Sequence, residues 1–391
     1  MFRVADRRRR LDALLPCWRD LWHPQPFREI RPAWCADWPA LAGELLALSD
    51  AEACRLNDDD AAALALVARH LPDVAAVAPL VDVPVRPRCP PVRDDPHWAW
   101  EIPGRKRHQI EAFAASIGPG AGPVLDWCGG KGHLGRMLAL AWQWPVRSLE
   151  IDARLCAAGA ELARRAGAAQ EFVVADVLTA TEWPCAGQHA VALHACGDLH
   201  RHLLRHGVAR DVARFDVAPC CYYRGVGDVY QPLAGGARLR LTRDDTRLAV
   251  TETVTAAPRE TRQRDLEIAW KLGFDAWRRT ATGIGYRSFK PVPDAWLRGS
   301  FADFVAHLAG REGVPPMPAA AAAEFEARGW RRQHDVMRLS IVRHAFRRAL
   351  EIWLALDLAA FLEESGYAVE FGRFCERRVT PRNLLISAQR A

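Results

Sequence analysis

A glycine-rich turn after a short apolar run constrains the fold of this chain more than any other feature. The segment VLDWCGGKGHLGRMLAL, residues 124–140, predicts a buried strand, a turn containing Gly129, Gly130 and Gly132, and a helix from about Leu134. Glycines let the backbone approach a ligand closely, and the N-terminus of the next helix offers unpaired N–H groups. The segment therefore predicts a strand–turn–helix unit that binds a ligand.

Strand-like runs alternate with helical patterns in the middle of the chain. The predicted strands are residues 122–128, 145–152, 171–177, 189–196 and 214–221. Such alternation favours an α/β fold, in which a parallel sheet is covered by helices on both faces. The ligand then lies at the carboxyl ends of the strands.

The rest of the chain divides by composition and periodicity. We expect four parts: an N-terminal, mainly helical accessory domain over 1–95, a core over 96–224, a largely helical insertion over 225–365, and closing strands of the core sheet over 366–391. The proline-rich stretch 83–96 predicts a linker, and 238–254 contains strand-like runs. One long helix is predicted at 335–362, with an apolar face made of Leu339, Val342, Phe346, Leu350 and Trp353.

Composition narrows the protein class without identifying a partner. The net charge is +6, and 49 of the 53 basic residues are arginines, so single arginine clusters carry little weight. The 11 cysteines lack C-x-x-C spacing, which favours free thiols in a reducing, cytoplasmic setting. We expect no signal peptide, because Asp12, Arg19 and Asp20 interrupt any apolar region after the basic N-terminal stretch. We expect no membrane span, because the chain has no run of 18 apolar residues.

Acidic residues end the first three predicted strands. Asp126 precedes the glycines in a D-x-x-G-G-x-G arrangement, where a carboxylate would repel a pyrophosphate and suit an ammonium group. Glu150 is placed to accept hydrogen bonds from ribose hydroxyls, and Asp176 ends the third strand. This series resembles motif I of class I methyltransferases. The alternative is a nicotinamide dinucleotide site, from the G-x-G-x-x-G match that begins at Gly130.

The next two strand ends carry a more specific resemblance. LHACGDLH at 193–200 and APCCYY at 218–223, after GGKGHLG, resemble the methyltransferases that include methyltransferase-like protein 25. A eukaryotic tRNA 2′-O-methyltransferase is a more distant relative, and its zinc-binding Cys/His segment has no counterpart here. Further matches are GRKRHQIEAFA at 104–114, LEIWLALDLAAFLEESGY at 350–367 and VTPRNLLI at 379–386.

The resemblance implies a Rossmann-like class I methyltransferase sheet with S-adenosylmethionine as methyl donor. The cofactor-binding residues that we expect are Lys106, Asp126, Cys128, Gly129, Gly130, Gly132, His133, Leu134, Glu150 and Asp176. The catalytic candidates beside the methyl group are His194, Cys196, Asp198 and Tyr222.

The chemistry at these strand ends has several interpretations. Asp198 is either a base that takes a proton from an O or N acceptor, or the cap of a helix that starts near Leu199. A thiolate of Cys196, Cys220 or Cys221 could instead attack a cytosine ring. The H-x-C group at 194–196, the H-x-H group at 200–202 and the vicinal cysteines could in principle supply zinc ligands, which is a third option. Their spacing matches no standard site and buried cysteines behave as small hydrophobic residues, so we expect no metal.

Two arginine-rich segments suggest RNA, either tRNA or rRNA, as the methyl acceptor. They are residues 1–31 and 327–348, and the second has seven arginines against one acidic residue. Aromatic side chains between the arginines suit stacking on bases. The alternatives are a solvated helix face, a protein or small-molecule acceptor, and a scaffold that binds S-adenosylmethionine or RNA without turnover. The sequence leaves the oligomeric state open.

Overall fold

A computed structural model describes residues 3–89, 96–120, 122–251 and 258–391. The strands are β1 Val124–Trp127, β2 Val146–Glu150, β3 Gln170–Val174, β4 His189–Cys196, β5 Arg214–Cys220, β6 Tyr367–Arg373 and β7 Leu384–Arg390. The helices are α1 Val4–Cys17, α2 Arg19–Trp22, α3 Trp34–Asp37, α4 Pro39–Ala47, α5 Asp50–Asp58, α6 Asp60–His70, α7 Ala78–Val81, α8 Gly104–Ile117, α9 His133–Trp142, α10 Ala153–Arg165, α11 Asp198–Ala209, α12 Arg243–Leu248, α13 Pro258–Thr282, α14 Phe301–Glu312, α15 Ala322–His344 and α16 Arg347–Glu364. Within these described ranges, every helix is too short or too polar to cross a membrane.

The seven strands form one sheet in the order β3-β2-β1-β4-β5-β7-β6. The first five strands pair in parallel, and β7 runs antiparallel to both β5 and β6. All five strands predicted in the core, and the two closing strands, are present. The predicted α/β Rossmann-like class is confirmed, whereas the antiparallel direction of β7 was not predicted. The strand order reverses between β1 and β4, which is where an open sheet of this kind binds its ligand.

The chain packs into two compact units, and each contains segments from more than one of the four predicted parts. The sheet unit comprises Met1–Pro16, Val77–Thr255 and Arg347–Ala391. The helical unit comprises Cys17–Ala76 and Ala256–Phe346. Each unit therefore combines segments that are distant in sequence, which local composition and periodicity do not reveal. Part of the predicted linker, residues 90–95, lies outside the described residues.

Buried carboxylates explain why the first residues of the chain belong to the sheet unit. The carboxylate of Asp12 in α1 accepts hydrogen bonds from Trp353 Nε1 at 3.1 Å and from the backbone N–H groups of Arg238 and Leu239. Asp12 is 7% exposed, so these bonds replace the water that it would otherwise bind. Helix α1 is thereby fixed to α16 and to the segment around residue 238.

Asp357 in α16 likewise fixes the chain before residue 238, by accepting hydrogen bonds from residues 230–234. Its carboxylate accepts bonds from Tyr230 Oη at 2.9 Å, Leu233 N at 2.8 Å and Ala234 N at 3.2 Å, and it pairs with Arg8. The strand-like pattern predicted at 238–254 gives only an isolated bridge between Thr242 and Val229 in the described part of that range. The N–H groups of Arg238 and Leu239 bond to Asp12, and Arg243–Leu248 is helical.

The helix predicted at 335–362 is in fact two helices. The α-helical pattern breaks between His344 and Arg347, where the N–H of Phe346 bonds to Arg343 O in a tighter turn. The predicted apolar face is otherwise correct, because all five of its residues are fully buried. The break places α15 in the helical unit and α16 in the sheet unit, a division that uninterrupted periodicity could not show.

Two glycines let the long helices of the helical unit pack closely. A Cβ at Gly329 in α15 would lie 2.2 Å from Ala269 O in α13, and one at Gly273 would lie 2.7 Å from Phe325 O. A larger residue at either position would push the helices apart. An aromatic core that includes Phe274 and Phe304 packs beside this contact.

We predict that Asp357→Ala lowers the free energy of unfolding by about 3–5 kcal/mol. The substitution removes the carboxylate partner of Arg8 and leaves the N–H groups of Leu233 and Ala234 and the Tyr230 hydroxyl without their acceptor. Urea unfolding followed by circular dichroism measures the change. Asp20→Ala, at an exposed position, is the control and should change the stability by less than about 0.5 kcal/mol. Equal stability of the Asp357 variant and the wild type would contradict this account.

Candidate active site

The glycine-rich turn has a backbone conformation that its sequence permits at low cost. Gly130 and Gly132 have φ values of 60°, in the left-handed region. A Cβ at Gly132 would lie 2.3 Å from Gln170 Nε2, so this position is tightly packed. A Cβ at Gly130 would meet no described atom within 4 Å. The turn is therefore packed on one side and open beside Gly130, as a ligand cradle requires.

Asp126 supports the turn from beneath. Its side chain is 2% exposed, and Oδ2 accepts hydrogen bonds from Gly135 N at 3.2 Å and Ser148 Oγ at 3.0 Å. A Cβ at Gly129 would lie 2.5 Å from the same oxygen. Burial raises the pKa of Asp126 to about 6, although these hydrogen bonds act in the opposite direction. Direct contact of Asp126 with a ligand ammonium stays a prediction.

Glu150 and Asp176 lie at the ends of β2 and β3, as predicted. Glu150 is half-buried, and its carboxylate accepts hydrogen bonds from Gly130 N at 3.0 Å and Asp152 N at 3.1 Å. Asp176 Oδ1 accepts a bond from Leu178 N at 3.0 Å, which closes a turn after β3. Both acids therefore order local backbone.

Cys128 shows that the strand ends converge. This residue has a positive φ of 57° at the end of β1. Burial, together with the nearby carboxylates of Glu150, Asp126 and Asp176, raises the pKa of the Cys128 thiol to about 12. Cys196, at the end of β4, also contributes. Side chains from four strands thus act on one thiol.

Lys106, His133 and Leu134 complete the predicted cofactor set. Burial lowers the pKa of Lys106, and its ammonium lies near Asp126 and Cys220, which oppose that effect. His133 begins α9 and contacts the Arg136 guanidinium at 3.0 Å. Burial, followed by the charge of Arg136, lowers the pKa of His133 to about 4. Leu134 is buried in the core, so its side chain packs beneath the turn.

His194 lies in a distorted part of β4. Its φ is 67°, and both ring nitrogens are shielded and without a hydrogen-bond partner within the described residues. Burial lowers the pKa of His194 to about 3, and the charges of Lys106 and Arg382 add to the effect. The imidazole is therefore neutral at physiological pH.

The thiol of Cys196 contacts the next strand. Cys196 Sγ is 3.3 Å from Cys220 Sγ, and Cys221 belongs to the same group. Hydrogen bonds from Cys196 and Cys220 lower the pKa of the Cys221 thiol, and the charges of Arg224 and Arg382 lower it further. The sequence spacing did not predict this association, because the residues come from two strands.

Asp198 is the first residue of α11 and does not cap the helix. The cap position is occupied by Gly197, and Asp198 N donates to Arg224 O at 3.2 Å. The Asp198 side chain is 44% exposed and pairs with Arg201 Nε at 3.4 Å. The interpretation of Asp198 as a helix cap is therefore wrong, and its carboxylate is accessible to a substrate.

Tyr222 is placed differently from the other catalytic candidates. Its side chain is 1% exposed, and its ring packs edge-on against His200. Burial raises the pKa of Tyr222 well above the ordinary value, and the Glu351 carboxylate adds to the effect. In this conformation the phenol belongs to the core beneath the strand ends.

Sequence reasoning missed two residues that shape the cradle. Ser148 in β2 donates to Asp126, and Gln170 at the start of β3 donates from Nε2 to Gly132 O at 2.9 Å and to Ser148 Oγ at 2.8 Å. The available signal was a polar residue within the predicted strand 145–152 for Ser148, and one directly before the predicted strand 171–177 for Gln170. Such a residue needs a hydrogen-bond partner, and the glycine turn supplies it here.

The comparison with protein families identifies the core. Residues 105–224 match the sequence model of a family described as a methyltransferase domain. This segment is a class I S-adenosylmethionine-dependent methyltransferase domain. The match to a methyltransferase domain favours S-adenosylmethionine over the nicotinamide dinucleotide alternative for the glycine turn. The finer resemblance to methyltransferase-like protein 25 stays a prediction.

Solved structures show partial similarity, and no curated protein matches the chain. Geranyl diphosphate methyltransferase in complex with GPP and sinefungin is 18% identical over 29% of this chain and 44% of its own, with a TM-score of 0.25. Magnesium protoporphyrin IX methyltransferase from Synechocystis PCC 6803 is 10% identical over 70% of this chain and 75% of its own, with a TM-score of 0.30. An rRNA methylase from Streptococcus thermophilus is 12% identical over 36% of this chain and 94% of its own, with a TM-score of 0.24. The chain thus spans about half the length of the first of these, and their substrates carry no implication for it.

The cradle of this methyltransferase domain fits S-adenosylmethionine. The open side of Gly130 and the half-buried carboxylate of Glu150 lie side by side, joined by a hydrogen bond. We expect the turn and Glu150 to hold the sugar and amino-acid parts of the cosubstrate, with Asp176 towards the adenine. When bound, S-adenosylmethionine supplies an electrophilic methyl group.

We predict that Glu150→Ala weakens S-adenosylmethionine binding by about tenfold or more. The variant loses a charged acceptor, worth about 1.5–3 kcal/mol, and leaves Gly130 N–H without its partner. Calorimetric titration with S-adenosylmethionine and S-adenosylhomocysteine measures the change. Glu171→Ala is the control, because Glu171 pairs with Arg147 on an exposed surface and should not affect affinity. Unchanged affinity in the Glu150 variant would refute the assignment.

We predict a pH-dependent difference in stability between the wild type and Asp126→Asn. The pKa of Asp126 is raised from 3.8 to about 6 on folding, so the folded protein holds this proton more tightly than the unfolded chain. The stabilisation that comes from this tighter proton binding is complete below pH 3.8, the pKa of Asp126 in the unfolded chain. It is lost as the pH rises through about 6, the pKa of Asp126 in the folded protein. The wild type should therefore lose up to about 3 kcal/mol relative to the variant between pH 4 and 7. Urea unfolding across this range tests it, and a constant difference would contradict it.

Proposed function

We propose that this protein is an S-adenosylmethionine-dependent methyltransferase whose acceptor is an O or N atom of RNA, either tRNA or rRNA. The methyltransferase domain at 105–224 supports the donor half of this reaction. An arginine-lined cavity in the helical unit supports the acceptor half. Separate observations support the two halves, so each half can be tested separately.

The cavity brings together parts of both predicted RNA-binding segments. It has a volume of about 550 Å³. Its lining includes Phe27, Arg28 and Ile30 from the first segment and Arg328, Arg331, Arg332 and Asp335 from the second, together with Leu272, Asp275, Ala276, Arg279 and Thr280 of α13. Arginines beside apolar and aromatic side chains suit a nucleic acid, because they contact phosphates and bases together.

The charge balance of this cavity favours an anion. The Asp275 carboxylate already accepts bonds from Arg278 at 2.5 Å and Arg279 at 2.7 Å. Arg331 is exposed, and within the described residues its guanidinium makes no hydrogen bond or ion pair. Such a group is available for a phosphate.

Other arginines of the two segments have structural roles. Arg338 is 8% exposed and bonds to Asp50 Oδ1 at 2.7 Å and Leu48 O at 2.9 Å. Arg7 and Arg8 are buried in the sheet unit, where they bond to backbone oxygens of residues 82 and 235. The proposal therefore rests on the cavity residues and not on the whole of either segment.

Asp198 is the residue that we propose to receive or orient the acceptor's proton. An O or N acceptor must lose a proton when its lone pair attacks the methyl carbon. The Asp198 carboxylate is accessible, lies at the carboxyl end of β4, and is held by Arg201. Cys196 is the alternative nucleophile for a cytosine ring, and its contact with Cys220 leaves it less free to attack.

We predict that Arg331→Ala weakens RNA binding and reduces its dependence on salt. If Arg331 binds one phosphate, the substitution should reduce the magnitude of the slope of log K against log salt concentration by about 0.7. Fluorescence anisotropy with labelled single-stranded RNA at several salt concentrations measures this slope. Arg298→Ala is the matched control, because Arg298 is an exposed arginine of the same unit outside the cavity. Equal slopes in the two variants would sink the cavity assignment.

Transfer of tritium from labelled S-adenosylmethionine identifies the acceptor directly. We expect label in the RNA fraction of a cell extract, and its loss in Asp198→Ala with cosubstrate affinity retained. Label in the protein or small-molecule fraction would overturn the RNA assignment. Binding of S-adenosylmethionine without label in any fraction would indicate a scaffold in place of an enzyme.

A further inference from the structure

Three thiols meet where β4 and β5 end. The Sγ atoms of Cys196, Cys220 and Cys221 all lie within 4.8 Å of one another, and none of the three residues is in a disulfide. Cys220 is buried, whereas Cys196 and Cys221 are partly exposed. A ligand could therefore reach the group from solvent while one thiol anchors it in the core.

The backbone is distorted so that these thiols meet. Leu193 pairs with Ala218, but the next pair is Cys196 with Cys220, so β4 carries one residue more than β5 between them. In an even register Ala195 would lie opposite Cys220, and Cys196 would point to the other face. The extra residue in β4 thus moves a thiol into place.

A second distortion lies on the opposite strand. Cys221 has a φ of 44°, and His194 in the irregular part of β4 has a φ of 67°. Side chains other than glycine adopt this region rarely and at a cost in free energy. Both of these unfavourable conformations lie beside the three cysteines, one on each strand. The free energy that they cost indicates that the association of the thiols has a function.

The distances and charges suit a soft divalent metal. Zinc binds thiolates at about 2.3 Å, so two thiolates of a tetrahedral site lie about 3.8 Å apart. The Cys196–Cys220 distance of 3.3 Å and the 4.8 Å limit of the group bracket this value. Zn²⁺ with three thiolates carries one net negative charge, and the guanidinium groups of Arg224 and Arg382 lie near Cys221 to balance it.

We propose that Cys196, Cys220 and Cys221 bind one zinc ion at the carboxyl ends of β4 and β5. Three protein ligands leave the fourth position for water or another lone-pair donor. The proposal goes beyond the function proposed above and does not depend on it. It also revises the expectation of no metal, because the sequence could not show that Cys196 meets the vicinal cysteines.

The test is metal binding by the full-length protein, stripped with a chelator under reducing conditions and then loaded with Zn²⁺ or Co²⁺. We expect one zinc per chain by mass spectrometry. With Co²⁺ we expect a thiolate-to-cobalt charge-transfer band and the strong visible bands of a tetrahedral site. Less than stoichiometric zinc, or Co²⁺ spectra without the charge-transfer band, would overturn the proposal.

Single substitutions assign the ligands. Cys196→Ser and Cys221→Ser, at the partly exposed positions, should lower zinc affinity by more than the roughly 10–100-fold that loss of an outer-shell partner costs. Cys185→Ser is the control, because Cys185 is a partly exposed cysteine of the same unit outside the group. Circular dichroism confirms that each variant is folded. Full zinc binding by both ligand variants would refute the site, as would a Cys196–Cys220 disulfide in protein purified without reductant.

Discussion

The buried carboxylate of Asp126 joins the ligand-binding turn to the sheet. It accepts bonds from the first turn of α9 and from Ser148 in β2, and it fills the space that a side chain at Gly129 would need. The turn can keep its left-handed conformation at Gly130 and Gly132 because these contacts hold both of its ends. The open side of the cradle, where Glu150 lies, depends on that arrangement. The hydrogen bonds of the buried Asp126 carboxylate therefore fix the conformation of the turn that we expect to contact the cosubstrate.

Carboxylates of the same kind organise the rest of the sheet unit. Asp12 and Asp357 bond to backbone N–H groups of the segment 233–239, which has little regular structure of its own. Buried backbone groups need partners, and side chains supply them where a ladder of strands does not. This explains how a segment after β5 can be ordered without adding a strand to the sheet. It also explains why residues at the start of the chain belong to the sheet unit.

Polar residues at the carboxyl ends of the parallel strands form two different arrangements. At β1 to β3 the acids order backbone, and Glu150 lies beside the open side of Gly130. At β4 and β5 the thiols face one another, and the backbone departs from regular pairing to bring them together. The first arrangement is that of a binding cradle. The second has the donor set of a metal site, and the helical unit adds a separate cavity whose charge suits phosphates.

Local sequence patterns were enough to predict the order and position of all seven strands, the glycine turn and the acids that end β1 to β3. These features depend on apolar runs, glycines and the residue at each strand end, and a single stretch of chain contains each of them. The apolar face that contains Leu339 and Trp353 could also be predicted from local periodicity. The break between α15 and α16 could not, because it separates a helix of the helical unit from a helix of the sheet unit. Packing of the whole chain was needed to establish that Asp126 faces the turn, that Tyr222 is buried, that Arg338 bonds to Asp50, and that Cys196 meets Cys220 and Cys221. Each of these facts joins residues that are distant in the chain, and the free energy that fixes them comes from burial and hydrogen bonds that exist only after the elements have packed.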